Sequence, residues 1–312
     1  VIHTVVDGMA TILSKEQLNL LENILTQALD SYEVIPSISE EEQQAKANAE
    51  LLQAYLSAKK IEGCSEKTIG YYQSTIDTLF VAVCKPVCDV TTNDIRNYLS
   101  GYQEQRKVSR VTIDNMRRIF SSFFAWLEDE DFIVKSPVRR IHRVRTESLV
   151  KEVLTDENME VLRDSCQEIR DIAMIDLLAS TGMRVGELVN LNREDIDFHE
   201  RQCVVFGKGN KEREVYFNAR TKIHLQNYLS SRTDDNPALF VSLSNPHSRL
   251  SISGVEVRLR TLGRKVNIAK VHPHKFRRTL ATMAIDKGMP IEQVQRLLGH
   301  VKIDTTLHYA MV

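Results

Sequence analysis

The hydrophobic pattern of this chain runs at helical spacing, stops once and starts again, and that interruption requires two separately packed bodies. From about residue 43 to 133, apolar side chains recur every three or four residues in four successive runs. That is the pattern of helices burying one face each. Leu52, Tyr55, Leu56 and Lys59 make one stripe, and Ile69, Tyr72, Ile76, Leu79 and Phe80 follow a capping Ser65. Ile95, Tyr98 and Leu99 follow Thr91 or Thr92, and Ile113, Met116, Phe120, Phe123, Phe124 and Leu127 follow Ser109. A hydroxyl ahead of each run accepts from the unpaired amides of the first turn. Residues 134–152 lose the period, contain Pro137 and six bases, and read as an extended basic linker.

From Leu154 the pattern restarts in a mixed form. Thr155 before Asp156 and Glu157 is a capped helix start, and residues 169–179 are apolar nearly all round, a buried helix ended by Gly182. Residues 196–198 and 202–217 alternate with the period of strands. Gly207-Lys208-Gly209-Asn210, between Val204-Val205-Phe206 and residues 213–217, signals a hairpin. Helices resume around 219–231, 253–266, 274–287, 290–298 and 304–311. The expected fold class is therefore mainly α: a four-helix domain at 43–133, the linker, and at 153–312 a largely helical domain with a small antiparallel β-sheet. Residues 1–42 read as a helical extension. Ser14 and Gln17 cap a helix over 14–31, and Pro36 with the acids at 40–42 reads as a break after it.

Composition narrows the function. The 312 residues suffice for two cores without staples, and 41 bases against 42 acids exclude a histone-like packer or a disordered polyanion. Nothing approaches the roughly 18 apolar residues of a membrane span, and nothing reads as a signal peptide. The start at Val1 reads as a trimmed chain. Five scattered cysteines, an odd number, point to reduced thiols and a cytoplasmic location, with no membrane partner. Charge is unevenly spread. Residues 1–50 hold nine acids against two bases, and the rest of the chain 39 bases against 33 acids. One basic stretch is Lys135, Arg139, Arg140, Arg143, Arg145 and Lys151; another gathers Arg258, Arg260, Arg264, Lys265, Lys270, Lys275, Arg277 and Arg278. Arg110, Arg117 and Arg118 share the fourth helix of the first block. Such surfaces suit phosphates, although a solvated face has the same composition.

Six residues of the second half carry reactive groups at marked positions. Arg184 follows Gly182; Lys208 sits at the glycine-flanked hairpin tip; His274 and Arg277 are three apart behind Pro273 at a helix start. His300 follows Gly299, and Tyr309 comes nine residues later. Singly, each has a plainer reading: a surface arginine, an exposed lysine, a packing tyrosine. Neither His272 with His274 nor Cys84 with Cys88 has partners at metal-ligand spacing, and no carboxylate cluster is placed to hold magnesium, so no metal or other cofactor is expected. Together the six supply two guanidinium groups for a phosphate, an ammonium and imidazoles for proton transfer, and a phenol as nucleophile. That set suits metal-free transesterification of a phosphodiester.

The segments STGMRVGELVNL, GKGNKER, HPHKFRRTLAT, LLGHVKIDTT and HYA resemble the motif boxes of tyrosine recombinases, the lambda-integrase and Xer class, over roughly 154–310. The block 43–133 is similar in length and helix number to that family's core-binding domain. The resemblance implies two domains clamping a specific site on double-stranded DNA, with no small-molecule substrate. It implies Arg184 and Arg277 on the scissile phosphate, Glu187 supporting Arg184, and Lys208 as acid to the 5′-hydroxyl. His274 would serve in proton transfer, His300 in hydrogen-bond support and Tyr309 as the nucleophile of a 3′-phosphotyrosyl bond. Strand exchange by a homo-tetramer through a Holliday junction would then integrate, excise, invert or resolve DNA. Arg110, Arg117, Arg118, Arg139, Arg140 and Arg143 are the expected DNA contacts. The acidic N-terminal helix suits a protein contact better than DNA. Relatives continue beyond the tyrosine with a segment that docks on a neighbouring subunit; here three residues follow Tyr309, so weaker tetramer assembly is expected. Two other readings compete. A helix-turn-helix regulator would use residues 279–300 around Gly288 but leaves the spacing of Arg184, Lys208, His300 and Tyr309 unexplained. A type IB topoisomerase would keep the cleavage chemistry without the exchange.

Overall fold

Side-chain caps set where most helices of the first half begin. The computed structural model describes residues 2–29, 39–145, 152–207, 212–300 and 302–310, and the chain divides into two units, Val1–Glu147 and Ser148–Val312. The first unit holds α1 (Ile2–Met9), α2 (Lys15–Leu29), α3 (Glu40–Ile61), α4 (Glu66–Val83), α5 (Thr92–Arg106) and α6 (Arg110–Asp129). Ser65 and Ser109 cap α4 and α6 as expected, and Thr91 rather than Thr92 caps α5, bonded reciprocally with Asp94. The acids at 40–42 are not a break. They are the first turn of α3, where Ser39 and Glu42 exchange backbone bonds of 3.1 and 3.2 Å. Carboxylates at that end also meet the positive pole of the helix.

The core of this unit is aromatic. Tyr55, Phe120, Phe123 and Phe124 are fully buried, and Phe123 meets Tyr55 edge-on with ring centres 5.1 Å apart. The Tyr55 hydroxyl bonds Ser122 Oγ at 2.9 Å, so the ring is buried without orphaning its polar end. α1 and α2 bury none of their residues.

Residues 134–145, the described part of the expected linker, are packed rather than extended. Pro137–Arg140 is a 3-10 turn, and Val138, Ile141 and Val144 pack against the aromatic core while Arg139, Arg140 and Arg143 are exposed. Thr92 donates to the Pro137 carbonyl at 2.7 Å, and Val144 N–H to Asp114 at 3.1 Å. Val138, Ile141 and Val144, spaced three apart among bases, are too few to register as a helical run, yet each finds a hydrophobic site. Residues 146–151 lie outside the described residues.

The second unit holds α7 (Asp156–Asp164), α8 (Ile169–Thr181), α9 (Val185–Asn190), β1 (Ile196–Asp197), β2 (Gln202–Phe206) and β3 (Glu212–Tyr216). After the sheet come α10 (Ala219–Ser231), α11 (Ile252–Lys265), α12 (Pro273–Asp286), α13 (Ile291–Leu298) and α14 (Asp304–Ala310). The strands run antiparallel in the order β1-β2-β3, with Gln202 opposite Tyr216 and Phe206 opposite Glu212. α8 lies against α10 and α12, and its Met174, Ile175, Leu177 and Leu178 are fully buried. A helix apolar on every face requires this central place. Among the described residues no helix is long and apolar enough to cross a membrane.

Candidate active site

The site is built where three helices end or begin together. Gly182 terminates α8 in the left-handed region at φ 58°. A Cβ there would stand 2.8 Å from Leu280 of α12, so glycine serves both the turn and the close approach. Gly299 ends α13 in the same way at φ 64°, and its carbonyl lies 3.3 Å from Arg184 Nη2. Pro273 opens α12 and sets His274 and Arg277 one turn apart.

Arg277 is 2% exposed. It donates Nη1 to the Gly182 carbonyl at 2.7 Å and Nη2 to the Leu298 carbonyl. Both acceptors sit at helix C-termini, where unpaired carbonyls and the negative pole favour a cation. Burial, with Arg184 and Arg213 close by, pushes its pKa down to about 10, against the opposing effect of Tyr309 and Glu187. It therefore remains a cation at neutral pH.

Arg184 precedes α9, a six-residue helix that the sequence pattern did not suggest. Its backbone N–H donates to Glu187 Oε2 at 2.7 Å and its Nη1 to Glu187 Oε1 at 2.9 Å. The Arg184 side chain keeps 34% of its surface accessible, against 3% for Glu187. Glu187 also takes both terminal nitrogens of Arg213, at 2.7 Å each. Burial acts to raise the Glu187 pKa, but the bonds from Arg213 and Arg184 outweigh it and hold the carboxyl below the usual range.

His300 places Nδ1 2.9 Å from the hydroxyl of the buried Thr306, and its ring centre lies 5.8 Å from that of Tyr309. Desolvation, with Arg277, Arg184 and Arg213 nearby, pushes its pKa down to about 4, so the ring is neutral at pH 7. Tyr309, on α14, packs against Ala281, Val294 and Leu298. His274, exposed in the first turn of α12, has its pKa lowered by partial desolvation and by Arg277, Arg184 and Arg278. Thus Arg184, Glu187, His274, Arg277, His300 and Tyr309 gather in one place. Lys208 lies outside the described residues; it follows β2, whose partner β3 carries Arg213. No group of His, Cys, Asp or Glu suited to a metal occurs among the described residues.

Arg213 is the residue that pattern reading missed. It shares the inward face of β3 with the buried Val215, and a charged residue on the inward side of a short strand was the available signal. Of the arginines expected on DNA, Arg110, Arg139, Arg140 and Arg143 are exposed. Arg117 and Arg118 both bond the buried Asp114, each at 2.9 Å; the Arg117 side chain is 15% accessible and that of Arg118 59%.

The family model described as "Phage integrase family" matches residues 152–312, and "Phage integrase, N-terminal SAM-like domain" matches 51–133. The chain is 31% identical over 275 residues to tyrosine recombinase XerC of Staphylococcus aureus, covering 83% of this chain and 91% of that protein. Its fold is similar to that of a lambda integrase dimer bound to a COC′ core site, with TM-score 0.68 and 18% identity over 94% of this chain and 85% of that one. It is also similar to XerH site-specific recombinase in a post-cleavage complex with palindromic difH substrate, with TM-score 0.67 and 20% identity over 99% and 91% of the two chains.

Proposed function

This chain belongs to the phage integrase family and is a tyrosine-type site-specific DNA recombinase, and on that premise we propose that Tyr309 is its nucleophile and that Arg184 and Arg277 hold the scissile phosphate of double-stranded DNA. The observation that supports this most is the buried Arg277, tied to the carbonyls of Gly182 and Leu298 in the same cluster as Arg184, His300 and Tyr309. A pre-placed cation there stabilises the extra charge of a pentacoordinate phosphorus without reorganisation.

The Tyr309 oxygen attacks phosphorus and gives its proton to His274, whose lowered pKa keeps it a neutral acceptor at pH 7. The bond to the 5′-oxygen breaks, and Lys208 protonates that oxygen. The product is a 3′-phosphotyrosyl ester and a free 5′-hydroxyl. Attack by a 5′-hydroxyl from a second duplex reverses the step and releases Tyr309, so the number of ester bonds is conserved and no nucleotide cofactor is consumed. His300 orders Tyr309 through their ring contact and is itself oriented by Thr306. Residues 43–133 act as a DNA-binding domain, with Arg110, Arg139, Arg140 and Arg143 on phosphates. Arg117 and Arg118 contribute mainly by bracing α6 through Asp114. Exchange proceeds through a Holliday junction in a homo-tetramer.

The test is a suicide duplex carrying a nick beside the cleavage point, followed by denaturing electrophoresis. The parent chain should accumulate a covalent adduct. Tyr309→Phe should give none while binding the site within about threefold, since many phosphate contacts supply the affinity. An adduct from Tyr309→Phe would refute the assignment.

A further inference from the structure

Glu187 poses an electrostatic problem. It orients Arg184 by accepting from both its backbone and its guanidinium group. A carboxylate so close to a half-buried arginine also cancels that arginine's charge, and the cancellation is strong away from water. A neutral Arg184–Glu187 pair would attract a phosphate poorly.

Arg213 resolves it. Its two terminal nitrogens meet the two oxygens of Glu187 at 2.7 Å each, a fork-on-fork arrangement that fixes the carboxylate in plane as well as in charge. The side chain is 12% accessible, and its buried Nε has no hydrogen-bond partner among the described residues. A buried, incompletely bonded guanidinium is retained here in a cluster that already holds Arg184 and Arg277. Gly299 makes room for it: a Cβ at that position would stand 2.9 Å from Arg213 Cδ. The same glycine offers its carbonyl to Arg184.

We propose that Arg213 is a positioning residue for the reaction, which neutralises Glu187 so that Arg184 is both held in place and left with its full positive charge for the phosphate. The proposal rests on the recombinase reading above. Among the described residues the hydrogen bonds of the Arg213 side chain go to Glu187, and it acts through that carboxylate. Three guanidinium groups and one carboxylate leave two net positive charges, one for each non-bridging oxygen of the pentacoordinate phosphorane.

The experiment compares single-turnover adduct formation on two suicide duplexes at saturating DNA, with rates normalised to the active fraction. One carries the natural scissile phosphate. The other carries a methylphosphonate, in which methyl replaces one non-bridging oxygen and removes one negative charge. Arg213→Met should slow adduct formation about a hundredfold on the phosphate, the scale of losing one pre-placed charge, and no more than tenfold on the methylphosphonate. A merely structural role would depress both rates by the same factor, and that result would overturn the proposal. If Arg213→Met fails to fold, Arg213→Lys carries the comparison. Lysine keeps the charge without the fork, so it should lose no more than about tenfold on the phosphate, and a hundredfold loss equal on both substrates would overturn the proposal. A parent chain that forms no adduct on the phosphate would overturn the recombinase reading itself.

Discussion

The two ends of α8 use the same device for different purposes. Near its first turn, fully buried Asp171 bonds Arg170 at 2.7 Å and Arg258 at 2.6 Å, and Arg170 also donates to the Val241 carbonyl at 3.0 Å. Beyond its last turn, Glu187 bridges Arg184 and Arg213 in the same way. Each knot has two arginines and one carboxylate. The difference is Arg277, which adds a third guanidinium at the C-terminal end and, among the described residues, bonds two carbonyls and no carboxylate there. One end is a rivet joining α8 to α11 and the loop before it. The other is a cluster with more guanidinium groups than carboxylates, suited to an anion.

Arg277→Met should break the contrast most severely. Adduct formation should fall about 10²–10³-fold, as when one oxyanion donor is removed. Two helix-terminal carbonyls also lose their partner, at a cost of about 1–3 kcal/mol each. Single-turnover cleavage and chemical denaturation measure the two losses, and an unchanged cleavage rate would show that the third guanidinium does not serve the phosphate. Asp171→Asn should do the opposite. Removing the anion from a buried pair costs about 3–5 kcal/mol of stability, while cleavage per folded molecule should stay within about twofold. A large fall in that rate would show that the two ends are coupled through α8.

The smallest expected effect is with pH. Unfolded, an imidazole titrates near 6.5; folded, His300 does so at about 4. Between those values the unfolded chain binds the extra proton, so stability falls as pH drops through the window and is level above it. His300→Asn should flatten that slope in denaturation curves taken from pH 4 to 7. Identical slopes would assign the effect to another group.

The site was legible in the sequence wherever its chemistry is local. Gly182 before Arg184, Pro273 before His274 and Gly299 before His300 each fix a helix terminus within a few residues. What stayed hidden is long-range. Arg277 finds its carbonyls 95 and 21 residues away, and Glu187 meets Arg213 across 26 residues. No periodicity encodes such pairings. The misreading at 40–42 has a different origin: a run of acids soon after Pro36 looked like a solvated break, although Ser39 with Glu42 was a capping signature in plain view. Asp114 ahead of Arg117 and Arg118 was likewise a readable i, i+3 and i, i+4 set.

Arg277 acquires its position only when α8, α12 and α13 have all come to rest, because its two acceptors belong to the ends of the first and the last of these helices. On the proposed roles of Arg277 and Tyr309, chemical competence is thereby tied to completed folding. A nascent or partly denatured chain still presents the phenol of Tyr309, but without the docked helices nothing aims a guanidinium at a phosphate beside it. A DNA recombinase gains from such an interlock: damaged copies become inert before they become dangerous.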